Sequence, residues 1–138
     1  MAEELFRQSL SNKLGCVAEE LGEHGYAVAS AGLAAGRENP ASPESVNVLQ
    51  RRGLDISEHR SQPLTAELLE TTYKVFTMTR YHREVILRAR PELADRIQLL
   101  SNNGHDVADP IGGGIGDYIS CCEEIERYVD TIVDGIDS

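Results

Sequence analysis

A glycine-rich segment that begins with an aspartate is the first feature of the sequence that could support chemistry. Asp109 is followed by Pro110, Ile111 and three consecutive glycines. Proline restricts the backbone and glycine lets a ligand approach it closely, so a carboxyl group held in such a loop could act as a general acid. Because Asp-Pro and Gly-Gly are also common in ordinary turns, the segment taken alone predicts a turn.

Cys121 and Arg127 form a second candidate pair. Five residues separate them, which is the spacing of a phosphate-binding loop built around a nucleophilic thiol. Such a loop needs inward-pointing backbone N–H groups and a positive local potential. The intervening residues instead fall in a predicted helix and include three glutamates, which would repel phosphate and raise the thiol pKa. We therefore expect this pair not to be catalytic.

Composition limits the classes of partner. The chain has 138 residues, a net charge of −10 and a pI near 4.8, which predict one domain over residues 1–138 and argue against binding nucleic acid. No apolar run approaches the roughly 18 to 20 residues of a membrane span, so we expect a cytoplasmic protein with no membrane partner. We expect no metal and no cofactor, because no metal-ligand spacing occurs among the histidines His24, His59, His82 and His105.

Helical and strand patterns alternate along the chain. Helices are predicted over about 2–21, 43–52, 65–70, 80–89 and 115–133, and short strands over 26–30, 73–78 and 96–100. This alternation indicates an α/β fold with a parallel sheet and right-handed crossovers. Gly15 weakens the prediction of one unbroken first helix. The loop over 101–116 has a length that usually indicates function.

Several short strings occur in one order and spacing along nearly the whole chain. They are Met1–Phe6, Ser30–Gly32, Ser42–Pro43, Arg52–Ile56, His59–Ser61, Leu64–Thr65, Thr77–Thr79 and Asp109–Gly113, followed by a final helix with Tyr118 and Glu123–Glu126. Each string is weak alone, but the combination is specific. On these residues the chain resembles the low-molecular-weight protein tyrosine phosphatases, and in particular their bacterial members, some of which act on phosphoarginine.

The resemblance implies a flavodoxin-like three-layer sandwich with a parallel sheet, and a phosphatase site. Asp109 matches the general acid of the family, which protonates the leaving group and later activates water. Ile111 stands where many members carry an aromatic residue that contacts phosphotyrosine. Ser30 and His59 match positions that brace the phosphate loop. The implied substrate is a protein carrying phosphotyrosine or phosphoarginine, hydrolysed through a cysteinyl-phosphate intermediate.

One part of the family pattern has no match in these residues. The central first strand, and the loop of Cys, five residues and Arg that ends in Ser-Pro, would lie upstream of Met1. We therefore expect a truncated and inactive domain whose sheet lacks its central strand. Such a sheet would be three-stranded or would be completed by a second chain, for example in a homodimer.

Two other functions stay open at this point. The chain could retain the scaffold as a non-catalytic binding module. Arsenate reductases coupled to thioredoxin share the scaffold but need further cysteines near the middle of the chain. None occurs between Cys16 and Cys121, so this alternative ranks low.

Overall fold

The computed structural model describes residues 1–33, 41–101 and 103–136, which form five α-helices and two β-strands. Two 3-10 helices, Ala18–His24 and Pro91–Arg96, lie between them. In chain order the elements are α1 (Ala2–Leu14), α2 (Pro43–Gln50), α3 (Ala66–Thr71), β1 (Val75–Thr77), α4 (Arg80–Ala89), β2 (Ile97–Leu99) and α5 (Ile115–Asp134).

The middle helices begin where their capping residues predict. The side chains of Ser42, Thr65 and Thr79 accept backbone N–H groups at the starts of α2, α3 and α4. Each cap satisfies a donor that the first helical turn leaves unpaired. The predicted bounds of α4 are confirmed at both ends, and those of α2 and α3 lie within two residues of the observed bounds.

The prediction of one helix over 2–21 is wrong, because α1 ends at Leu14. Gly15 adopts a left-handed conformation with φ of 70°, which a residue without a Cβ tolerates well. The N–H of Cys16 returns to the Ser11 carbonyl at 3.0 Å, and this closes the end of α1. The chain then continues into the 3-10 helix that buries Leu21.

β1 and β2 form a parallel pair joined through α4, with Val75 opposite Ile97 and Thr77 opposite Leu99. The strands predicted over 73–78 and 96–100 are therefore present, although each is shorter than expected. The predicted strand over 26–30 is wrong. That segment forms no ladder, and the Val28 carbonyl accepts the Arg7 guanidinium at 2.9 Å instead. Among the described residues the sheet has two strands, where three were expected within one chain.

Successive residues of a strand point to opposite faces of the sheet. Helices cover both of these faces. Phe76 packs into the larger apolar cluster, which joins α1, α2 and α5, and its ring lies 5.7 Å from that of Phe6. Val75 packs into a smaller cluster around Leu69, Ile86 and Ile97. The flavodoxin-like three-layer α/β architecture with a parallel sheet is therefore confirmed.

α1 and α5 lie side by side and run in the same direction. Lys13, at the end of α1, donates to the Val133 carbonyl near the end of α5 at 2.8 Å. About one turn earlier in both helices, the Ser9 hydroxyl donates to Asp130 at 2.7 Å. This parallel packing brings the N-terminal ends of both helices to the same side of the domain. No helix of the described residues combines the length and apolar character that crossing a membrane requires.

Candidate functional site

Two of the predicted site residues meet at a carboxylate in the first turn of α1. One oxygen of Glu3 accepts the Ser30 N–H at 2.7 Å and the Ser30 hydroxyl at 3.1 Å. The other oxygen lies 2.8 Å from Arg7 and 3.8 Å from Nδ1 of His59. Ser30 and His59 are separated by 29 positions in the chain, so Glu3 is the group that brings them together.

Short contacts hold both residues in place around this end of α1. The Ser30 carbonyl accepts the Gln62 side-chain amide at 2.9 Å, and the next residues form a parallel bridge between Gly32 and Pro63. The His59 N–H donates to the carbonyl of Ile56 at 3.0 Å, and Ile56 is buried in the larger cluster. The position of Ser30 and His59 therefore depends on the packed body of the domain.

The Asp109 loop is anchored to the end of β1. The N–H of the buried Val107 donates to the Met78 carbonyl at 2.8 Å. Two residues later, one oxygen of the exposed Asp109 carboxylate accepts the Ile111 N–H at 3.0 Å. Gly112 follows with φ of 87°, which completes the turn. One carboxylate oxygen is thus fixed by the backbone, and the carboxylate as a whole faces solvent.

A shallow cleft separates this loop from the first turns of α5. Its lining includes Asp109, Ile111, Asp117, Ser120, Cys121 and Glu124. Gly113 packs closely against Asp117, because a Cβ at position 113 would lie 2.4 Å from a carboxylate oxygen of Asp117 and would require that side chain to shift. Ile111 is 76% exposed, so its aliphatic side chain is free to contact a ligand in the cleft.

Cys121 and Arg127 do not form a phosphate-binding loop. Both lie within α5, where the backbone amides are engaged in helical hydrogen bonds. Burial raises the pKa of the Cys121 thiol, and the neighbouring charges of Glu124, Cys122 and Asp109 raise it further. A thiol that stays protonated is a poor nucleophile, so the structure agrees with the expectation drawn from the sequence.

Met1, two residues before Glu3, packs into the same apolar cluster as Cys121 and Cys122, and Cys121 lines the Asp109 cleft. Burial lowers the pKa of the Met1 α-amino group, and the negative charge of Glu3 opposes that shift. The sequence analysis did not identify Glu3 as a site residue. Among the described residues no group of three His, Cys, Asp or Glu side chains is arranged to hold a metal ion.

Alkylation of Cys121 should follow the raised thiol pKa. Because only the thiolate reacts, the rate with iodoacetamide should climb at a higher pH in the folded chain than in the same chain in urea. Mass spectrometry of the peptide that contains Cys121 gives the rate at each pH. A folded-state profile whose midpoint lies below that of the unfolded chain would show an activated thiol and contradict this assignment.

Comparison with known proteins identifies the family of the chain. A family model described as low molecular weight phosphotyrosine protein phosphatase matches residues 1–138. The protein-arginine-phosphatase of Geobacillus stearothermophilus is 32% identical over 114 residues, which cover 80% of this chain and 76% of that protein. A probable low molecular weight protein-tyrosine-phosphatase, EpsP, from Ralstonia nicotianae is 32% identical over 134 residues, which cover 96% of this chain and 83% of that protein.

Solved structures give the same result. The crystal structure of a low molecular weight protein tyrosine phosphatase from T. tengcongensis superimposes with a TM-score of 0.84 and 31% identity, covering 98% of this chain and 88% of that one. A mutant of YwlE from Bacillus subtilis superimposes with a TM-score of 0.81 and 29% identity, covering 96% and 86%. The chain belongs to the low molecular weight phosphotyrosine protein phosphatase family.

Proposed function

We propose that residues 1–138 form the body of a single protein phosphatase domain in which Asp109 is the general acid. The observation that carries this proposal is the convergence of Ser30 and His59 on Glu3, in the first turn of α1. In the family, the phosphate loop directly precedes this helix. In this proposal the predicted supports, the predicted acid and the start of α1 would surround the position of the phosphate group.

The proposed reaction has two steps. A thiolate attacks phosphorus, the bond from phosphorus to the tyrosine oxygen or arginine nitrogen breaks, and Asp109 gives its proton to that leaving atom. The Asp109 carboxylate then takes a proton from water, whose oxygen attacks phosphorus as the bond to sulfur breaks. Phosphate leaves and the thiolate is regenerated. General acid and base catalysis of this kind contributes about 10² to 10⁴ in rate.

None of the three cysteines in these residues suits the role of nucleophile. Cys122 is fully buried, and burial raises the pKa values of Cys122 and Cys121. The pKa of Cys16 is also raised, by desolvation and by the charges of Glu20 and Glu23. A nucleophilic thiol needs the opposite shift. We infer that the 138 residues do not turn over a phosphate ester until a Cys, five residues, Arg loop is supplied.

This inference can be tested by adding a Cys, five residues, Arg loop before Met1. We define the extended chain as residues 1–138 preceded by a strand and a Cys, five residues, Arg, Ser-Pro loop of the family pattern. The 138 residues alone should release no phosphate from p-nitrophenyl phosphate above the buffer rate, and the extended chain should release it. An extended chain with Ser in place of the added Cys is the matched control and should be inactive.

An extended chain that folds but does not hydrolyse any phosphorylated substrate would contradict the phosphatase proposal. It would favour the second candidate, a non-catalytic binding module, if it still bound a phosphorylated peptide. The raised thiol pKa values are the observation that keeps this candidate open. Binding of the peptide by the inactive extended chain, measured by isothermal titration calorimetry, would distinguish the two.

Ile111 should influence the choice between phosphotyrosine and phosphoarginine. The side chain is aliphatic and exposed at the mouth of the Asp109 cleft, and the relatives at 32% identity include enzymes named for each activity. An aromatic residue there could stack on the tyrosine ring. Ile111→Phe in the extended chain should therefore raise kcat/KM for a phosphotyrosine peptide, relative to a phosphoarginine peptide, by roughly two- to tenfold. An unchanged ratio would show that Ile111 does not contact the leaving group.

A further inference from the structure

The outer edge of β2 borders an open groove that is separate from the Asp109 cleft. The groove runs between the start of α4 and the later turns of α5, and its lining includes Arg80, Arg83, Gln98, Leu99, Ser101 and Ile132. No other strand of the described residues pairs with this edge, because β1 is the sole sheet neighbour of β2. An unpaired strand edge presents backbone donors and acceptors to solvent.

The hydrogen-bond pattern shows which backbone groups face the groove. The Leu100 N–H donates to the Thr77 carbonyl of β1 at 2.8 Å. In a parallel pair successive residues of a strand alternate in direction, so Ile97 and Leu99 point their backbone groups away from β1. The Arg83 side chain confirms this direction, since its Nε donates to the Ile97 carbonyl at 3.4 Å. The N–H and carbonyl of Leu99 lie next along the same edge.

Charge in the groove is opposite in sign to that of the whole chain. The charged residues that line the groove are Arg80, Arg83 and Glu84, a net charge of +1 in a chain whose net charge is −10. The Arg80 side chain is 70% exposed and contacts Asp106 at 3.5 Å. Arg83 uses one of its five N–H donors on Ile97. Both guanidinium groups therefore retain donors for a ligand in the groove.

We propose that the β2 edge groove binds an extended acidic segment of another protein, which adds to the sheet as a third strand. Backbone hydrogen bonds to Leu99 would supply affinity, and an acidic side chain beside Arg80 and Arg83 would supply specificity. Leu99 and Ile132 provide an apolar floor for the alternate side chains. Glu84 also lines the groove, so one carboxylate at the arginine end fits better than a uniformly acidic segment.

The test uses the 138-residue chain labelled with ¹⁵N and short Thr-Val-Glu-Val-Thr and Thr-Val-Lys-Val-Thr peptides as probes. The Glu peptide should shift the amide signals of residues 97–101, slow hydrogen exchange at Leu99, and bind more tightly than the Lys peptide. Arg80→Glu should weaken binding of the Glu peptide roughly three- to fivefold. Arg88→Glu is the matched control, because Arg88 is exposed on the same helix but does not line the groove, and it should change the affinity less than twofold.

Several results would overturn the proposal. Equal binding of the Glu and Lys peptides would show that the arginines do not select an acidic side chain. Equal weakening by Arg80→Glu and Arg88→Glu would reduce the effect to general charge attraction. The peptide Thr-Pro-Glu-Pro-Thr keeps the carboxylate but cannot extend a ladder, so undiminished binding of that peptide would exclude strand addition. Concentration-dependent dimerisation through residues 97–101 in sedimentation and NMR would make a second copy of this chain the occupant instead.

Discussion

Replacing Asp109 with Asn should lower kcat of the extended chain by about 10²- to 10⁴-fold on a phosphotyrosine peptide. Asparagine is close to the same size and can still accept the Ile111 N–H that fixes the aspartate. It has no proton to give to the tyrosine oxygen, so the leaving group must depart as a phenolate. The loss should be smaller on p-nitrophenyl phosphate, because nitrophenolate is a good leaving group that needs little protonation.

The comparison of the two substrates separates a catalytic effect from a structural one. Asp95→Asn is the matched control, because Asp95 is an exposed carboxylate in the 3-10 helix before β2 and lies far along the chain from the cleft. It should leave both rates unchanged. If Asp109→Asn lowered kcat on both substrates by the same factor, or lowered it on neither, Asp109 would not be the acid that protonates the leaving group.

Leu49→Ala should lower the free energy of unfolding by about 2 to 5 kcal/mol. Leu49 lies on α2 with 0% of its side chain exposed, in the large apolar cluster that also contains the buried face of α5. Removing its branched end leaves a cavity that neighbouring helices can fill only in part. Urea denaturation should show a lower midpoint with an unchanged slope.

Leu33→Ala makes the same chemical change at a position that is 41% exposed, and it should cost less than about 1 kcal/mol. An equal loss at both positions would mean that burial does not govern the difference. A change in the slope for Leu49→Ala would mean that the compactness of one of the two states has changed as well. This pair tests whether α2 and α5 form one core in solution.

Local signals were sufficient for most of the helices. At the start of α4 the Thr79 side chain accepts the N–H of His82, three residues later, and Pro91 follows the end of the helix. Both bounds therefore depend on neighbours in the sequence. The strand predicted over 26–30 failed because strand formation depends on a partner that the sequence does not name. The segment has a suitable composition, yet the nearest ladder contact is the bridge between Gly32 and Pro63.

The site, too, was predictable only where its residues are neighbours in the sequence. The string around Asp109 is contiguous, so its turn and its exposed carboxylate could be expected from the sequence. Ser30 and His59 were identified only through resemblance to a family. Their common partner, Glu3, lies 27 and 56 positions away from them, and a glutamate near the start of a helix gives no indication that it binds two distant side chains.

The most direct test is the initial rate at which the purified 138-residue chain releases phosphate from a phosphotyrosine peptide and a phosphoarginine peptide. Raised thiol pKa values at all three cysteines predict a rate that cannot be distinguished from that of the buffer. A clear rate that disappears in the Cys121→Ser variant would contradict the account, because it would place the nucleophile inside α5.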